Sequence, residues 1–411
     1  MPRGGPALGP VAEPLRALAA LGGAVVLAGV AASVVVTVLT PRVRSSRLST
    51  LVARAVRAGV VRASTMLART WPQQDAHLAL MAPAVLLAQL GSWLALSLVG
   101  WTLVAWPLDH AALAATARSV VAAGLTLDLA PPARGAGVVA GFGAAATGPL
   151  VVAMQIAYFP TLYQAVNRRE ALVTLLEARA GSPPWGPEVL RRHWFFDLVD
   201  RLPTFYDAWE RWAAEVLESH GSYRTLMFFR SPAPWRAWPV SLLAVLDSAA
   251  LLHAVAPGSA PREARLCLQM GAQCFRQLAG AFGLAYEADP DPDRTPLALG
   301  REQFEVAYEY LRAGGVPLER DLEDAFTHFR GWRVNYETAA YAIAQWTVAP
   351  PAPWSGPRRH VVARVELPAP AVHRSPGGGR YVEPRLAEAR GPEAVLTVDP
   401  CAHPEPSAEG D

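Results

Sequence analysis

Ala17–Pro41 reads ALAALGGAVVLAGVAASVVVTVLTP, with no charged side chain between Arg16 and Arg42. A bilayer's hydrocarbon core is about 30 Å thick, so about 20 apolar residues in a helix rising about 1.5 Å per residue cross it. The run is too long for the apolar core of a secretory signal. It also lacks a small-residue cleavage site ahead of the charges that follow. The stretch predicts a first membrane helix over 17–41, with a short extracytoplasmic N-terminus at 1–16.

Two further runs follow. Leu78–Leu108 reads LALMAPAVLLAQLGSWLALSLVGWTLVAWPL. Trp101 and Trp106 sit near its end, where indoles favour the membrane interface. Gln89 is its one strongly polar side chain and is expected to hydrogen-bond to another helix. The third run, Gly135–Asn167, is bounded by Arg134 and Arg168 and is longer than a bilayer requires, so part of it tilts or projects. Pro149 and Pro160 lie inside it, as membrane helices tolerate. Gly137, Gly141 and Ala145 repeat at four-residue spacing, a pattern that lets helix backbones approach closely.

Arginine sets the expected orientation. The segment between the first two runs carries Arg42, Arg44, Arg47, Arg54, Arg57, Arg62 and Arg69 against one acid, Asp75. Between the second and third runs, Arg118 and Arg134 are balanced by Asp109 and Asp128. Positive loops stay cytoplasmic. The N-terminus is thus expected outside, and everything after Arg168 inside the cell. Leu48, Leu51, Val52, Ala55, Val56, Val60 and Val61 recur at near-helical intervals among the arginines of 42–75. This predicts an amphipathic helix whose seven arginines meet anionic headgroups; packing on the soluble region is the alternative.

Between the second and third runs, residues 110–132 hold a helical apolar piece too short to span. Thr126-Leu127-Asp128-Leu129 and Pro131-Pro132 follow it. Span, short helix, non-helical stretch and span form the layout of a re-entrant pore loop, since irregular backbone at membrane depth persists only where it lines water or is buried in protein. Residues 78–181 resemble bacterial two-transmembrane, pore-loop ion channels of the potassium-channel type. Residues 116 to about 357 more closely resemble a group of bacterial membrane proteins described as ion-channel-like. The segments TLDLAPP (126–132), QIAYFPTLYQAVNRREALVTLLEARAGSPPWGPEVLRRH (155–193), FRGWRVNYE (329–337) and PAPWSGPRR (351–359) carry that resemblance. It implies a channel module over 78–167, with Thr126, Leu127, Asp128 and Leu129 as pore-lining candidates. It also implies a homo-oligomer, a tetramer if a channel, and monovalent cations as the permeant class. Against a Thr-x-Gly-Tyr-Gly filter only Thr126 matches. Asp128 and Ala130 stand where glycines supply carbonyls, so a carboxylate ring is the remaining means of favouring cations. Asp128 reads equally as a solvated loop acid or a helix cap.

The remainder to about residue 347 reads as a helical cytoplasmic domain. Helices are expected over Asn167–Ala180, Glu188–Leu202, Thr204–His220, Pro261–Leu284, Gly300–Gly314 and Glu319–Trp346. Trp209 and Trp212 are expected in its core, and Leu266, Met270, Cys274 and Leu278 on one stripe. Trp238–Val255 is long enough to span but carries Asp247 at its centre. A core helix is expected there, with a partner for Asp247, an arginine being the natural one. From Val348 on, the chain holds 12 of the 37 prolines and a Gly377–Gly379 run, a composition that predicts a disordered tail over 348–411.

The fold class expected is therefore all-α: membrane helices, a re-entrant pore-loop-like segment, a helical cytoplasmic domain and a tail. All 37 basic residues are arginines, as GC-rich bacterial coding favours, and the net charge of +2 argues against nucleic acid as a partner. Cys267 and Cys274, about 10.5 Å apart along a helix, are too distant for a disulfide. The acidic run Glu287–Asp293 resembles a calcium loop, but Arg294 replaces the turn glycine. Ser241, Asp247 and His253 are misplaced around their helix for a triad. No metalloprotease, phosphate-loop or nucleophile-elbow motif occurs, so the chain is expected to be no enzyme, without cofactor or metal. The alternative to a channel is a non-conducting membrane-anchored scaffold or sensor.

Overall fold

The computed structural model describes residues 12–39, 46–109, 112–126, 136–356, 372–374 and 380–382. The chain is all-α apart from a two-stranded antiparallel pairing of Val372–Arg374 with Arg380–Val382. It divides into two compact units, 1–60 with 81–164, and 61–80 with 165–411. Among the described residues, four helices are long and apolar enough to cross a membrane.

In the first unit, α1 (Ala12–Val34) continues into a π-helical turn, Val35–Leu39. It packs along α4 (Met81–Asp109). A Cβ on Gly23 would sit 2.6 Å from the Gly100 carbonyl oxygen, so the two helices meet at a glycine-lined crossing. α5 (Leu113–Thr126) and the first part of α6 (Ala136–Ala180) complete the unit. α6 is 45 residues long with Pro149 and Pro160 inside it, longer than the expected span, and its last part belongs to the second unit. The second apolar run splits: Leu78 belongs to α3 (Trp71–Ala79), and α4 starts only at Met81.

α2 (Arg47–Leu67) is amphipathic as expected. Leu48 packs against the Val30, Val34 and Trp93 cluster, while Arg47, Arg54 and Arg62 lie on the exposed face with Leu51 and Met66. Arg57 is half-buried, and Arg42 and Arg44 lie outside the described residues.

The second unit is built around α9 (Trp238–Val255). Of its apolar window 94% is buried within the chain, against 22%, 39% and 28% for the windows in α1, α3–α4 and α6. Every α9 residue except His253 is buried, so no face is left for lipid and α9 is a core helix. α7 (Gly186–Phe195), α8 (Leu202–Ser222), α10 (Arg262–Phe282), α12 (Leu322–Arg333) and α13 (Glu337–Trp346) pack around it, and α11 (Arg301–Ala313) packs on α7 and α12. Trp209 and Trp212 lie in this core with ring centroids 4.8 Å apart.

Several expectations need correction. The helix read over Glu188–Leu202 ends at Phe195, because Asp197 takes a positive φ of 54° and the Leu198 amide closes on His193 O at 2.8 Å. The helix read over Glu319–Trp346 is two, broken at Val334–Tyr336. Leu266 is exposed; the buried stripe of α10 runs through Cys267, Gly271, Cys274 and Leu278. The tail does not begin at 348. Ala349, Ala352, Trp354 and Ser355 are buried, and Trp354 packs edge-on against Trp185 and tilted against Phe329, which prolines permit because a packed extended segment needs no helix.

Candidate functional site

The pore-loop candidates fall at the edge of what is described. Thr126 is the last residue of α5, and Leu127, Asp128 and Leu129 lie outside the described residues. What is described is how α5 is held. Val120 packs with Ala105, Ala140 and Ala144, so one turn of α5 lies between α4 and α6. Nearer its end, a Cβ on Gly124 would meet Leu98 at 2.7 Å, and a Cβ on Gly148 would meet the Gly124 carbonyl oxygen at 2.3 Å. Only glycine allows that approach, and it fixes α5 against α4 and α6 simultaneously.

Trp101 bridges the same helices. Its indole lies over Gly143, and its N–H donates to Thr147 Oγ1 at 3.0 Å. Of the expected small-residue face, Ala145 is buried, and Gly143, Ala144 and Gly148 are packed beside it. Nothing among the described residues lies within 4 Å of a Cβ on Gly141, while a Cβ on Gly143 or Gly148 would meet Trp101 or the Gly124 carbonyl. Gly137 has no described surroundings.

Chemically richer positions lie in the second unit. Asp247, central in α9, accepts the Tyr336 hydroxyl at 2.8 Å and faces Arg333 NH1 at 2.5 Å. Arg333 is fully buried. It also pairs with Glu337 at 2.5 Å, donates to Tyr341 Oη at 2.9 Å and to the Trp354 carbonyl at 2.7 Å. Glu337 accepts the Ala298 amide at 2.6 Å. Burial pulls the Asp247 carboxyl up to about 6, against the pull of Arg333 and the Tyr336 hydroxyl. One arginine thus ties α9, α12, α13 and the segment at Trp354 together, and the partner expected for Asp247 is this arginine. A second buried cluster joins Glu188 to Arg191 and Arg192, with the Tyr310 hydroxyl donating to Glu188 at 2.5 Å.

Three histidines are held neutral. His220 Nε2 lies 3.0 Å from Arg169 NH1, so it accepts, and Nδ1 faces the Val216 carbonyl. Burial and then Arg169 push its pKa well down. His193 is lowered by burial and by Arg179 beside it. His253 is lowered to about 4 by burial, then by Arg265 and Arg320. His220 Nδ1 also lies 3.0 Å from the Ser219 hydroxyl, but its Nε2 faces the Arg169 guanidinium where a triad has a carboxylate.

The unit also has an open groove of about 510 Å³ along α10. Gln269, Gln273 and Gln277 line one wall, and Trp332 and Tyr336 the other. Among the described residues, no group of three or more metal-ligating side chains gathers.

Comparison with family models, curated proteins and solved structures finds no match. The class the architecture defines is a helical protein with membrane-length apolar helices. Three of these, in α1, α4 and α6, leave most of their surface uncovered by the chain itself.

Proposed function

We propose that the protein is a channel-like integral membrane protein, in which α5 enters the bilayer from one side and the chain returns to the same side before α6. The observation that carries the reading is the depth of α5. Leu98 lies 11 residues from the end of α4 at Asp109, about 16 Å along its axis, or half of a ~30 Å core. Gly124 meets Leu98 and Gly148 there, and α5's 14 residues, about 21 Å, are too few to continue across. Residues 127–135 suffice to regain the start of α6, since an extended chain covers about 3.3 Å per residue. In this arrangement Thr126, Leu127, Asp128 and Leu129 are the innermost part of the loop.

A single such loop cannot enclose a pore, so the reading requires a closed ring of identical chains. Leu125, Phe142, Leu150 and Ile156 are exposed on α5 and α6 of one chain and provide apolar surface for copies or lipid. A ring of Asp128 carboxylates favours cations over anions. The charge asymmetry of the loops puts α2 and the helical unit in the cytoplasm, where the exposed Arg47, Arg54 and Arg62 meet anionic headgroups. The second reading, a non-conducting membrane-anchored sensor, draws on the glutamine- and aromatic-lined groove of α10. The test is cation flux through proteoliposomes of the purified oligomer. Flux that Asp128→Ala weakens supports the channel. A monomer or dimer with no flux refutes it and leaves the sensor.

A further inference from the structure

Gln89 and Gln155 are 5% and 2% exposed, and the Nε2 of each has no hydrogen-bond partner among the described residues. The helix–helix hydrogen bond expected of Gln89 is therefore not made by its amide nitrogen. The two lie on neighbouring antiparallel helices. Trp101 on α4 meets Gly143 and Thr147 on α6, and Trp93 packs with Val151. One turn further along that register, Gln89 stands level with Gln155.

α1 brings more polar groups to the same end. Trp93 Nε1 donates to Ser33 Oγ at 3.0 Å, and Ser33 Oγ lies 2.7 Å from Ser46 Oγ. Thr37 Oγ1, in the π-helical turn, lies 2.8 Å from Ser49 Oγ. π-turns recur where helices open for function. Beside this polar layer Val30, Val34, Trp93 and Val151 form an apolar cluster, with Val38, Leu48, Leu90 and Met154 packed against it.

Ser97 and Thr116 also have buried hydroxyls without a partner. A hydroxyl on a helix can turn to its own carbonyl one turn back, as Thr102 does to Leu98 O at 2.7 Å. A glutamine amide, with two N–H groups on a long stem, has no such recourse. Turning the amide over leaves its oxygen in the unpartnered place instead. Buried polar groups are satisfied by protein or by water, and hydrocarbon offers neither.

We infer that the end of the bundle where α1 finishes and α4 begins contains a water-filled crevice inside each chain, lined by Gln89 and Gln155 and stopped by the Trp93 cluster. The crevice admits water and small hydrophilic solutes. It lies within one chain, so it is independent of any pore between chains and stands whether or not the protein conducts.

Variants of the full-length chain with one added cysteine, in lipid vesicles and a Cys401→Ser background, test this with a cationic methanethiosulfonate reagent, which reacts with thiolates in water. Burial keeps the Cys267 and Cys274 thiols protonated and silent. Gln89→Cys and Gln155→Cys are expected to react about 100-fold faster than Leu87→Cys and Ile156→Cys, whose native side chains face outward, and than Ser97→Cys beyond the Trp93 cluster. Rates at 89 and 155 as slow as at 87 and 156 overturn the inference. Should these variants not fold, water-edited solid-state NMR of the wild-type protein in bilayers decides. The Gln89 and Gln155 side-chain amides are expected to receive magnetisation from water as the groove glutamines do. Amides that receive none also overturn it.

Discussion

Arg333→Met is the most informative single change in the helical unit. Its guanidinium faces Asp247 and Glu337, both at 2.5 Å, and also holds Tyr341 Oη and the Trp354 carbonyl. Methionine keeps much of the volume but leaves two buried carboxylates without a cation. Removing one partner of a buried ion pair costs about 3–5 kcal/mol. In a unit of this size each kcal/mol moves the melting temperature by about 2–4 °C, so a drop of about 10 °C is expected. The assay is thermal unfolding of the full-length protein in detergent, followed by near-ultraviolet tryptophan signal.

The deficit has a pH signature. Without Arg333, Asp247 keeps a folded-state pKa above its unfolded value, so stability is lost as pH rises through the folded pKa. The gap between variant and wild type is therefore wider at pH 8 than at pH 5.5. Adding Asp247→Asn, which removes one stranded charge yet still accepts the Tyr336 hydroxyl, recovers part of it. A melting temperature within 2–3 °C of wild type (less than ~1 kcal/mol) at pH 8 refutes the reasoning.

Other expectations follow from the same geometry. His193, His220 and His253 are held neutral below their unfolded values, with His253 at about 4, so the unfolded chain binds more protons and stability falls as pH drops from about 6.5 toward 4. Asp247, raised to about 6, opposes this over part of the range. The three histidines outweigh it, and His253→Gln makes acid unfolding less steep in a denaturant titration against pH. Gly148→Ala drives a Cβ onto the Gly124 backbone and costs about 1–3 kcal/mol by sodium dodecyl sulfate titration. Gly141→Ala, which meets nothing, changes stability by less than about 0.5 kcal/mol. Replacing Arg47, Arg54 and Arg62 together by glutamine removes the protection of α2 amides from hydrogen exchange that anionic nanodiscs confer over zwitterionic ones, since each arginine near such a surface contributes about 1 kcal/mol.

The membrane-length helices were legible in sequence because an uninterrupted apolar run is a local signal. α1, α4 and α6 need no knowledge of their neighbours. α9 was legible for the opposite reason: Asp247 in an otherwise apolar run demands a buried partner. Which arginine answers it was not readable, because Arg333 lies 86 residues further along the chain (333 minus 247). Of the four-residue repeat at Gly137, Gly141 and Ala145, Ala145 is buried, while Gly141 meets nothing among the described residues. Spacing reports which residues share a side, and only packing against Trp101 and Gly124 decides which side is used. The same limit applies to Ala349–Ser355, whose proline content reads as a tail until Trp185 and Phe329 supply a surface for Trp354. The packing of α5 on α4 and α6 depends on Gly124, Leu98 and Gly148, three residues from three helices, and no periodicity within 110–132 encodes it.

The most direct test of the account is where the full-length protein goes when cell membranes are washed at alkaline pH and centrifuged without detergent. With α1, α4 and α6 in lipid and α9 sealed in its own core, the chain stays in the membrane pellet, and a variant lacking those three helices' apolar faces does not. Release of the intact wild-type chain into the supernatant contradicts it.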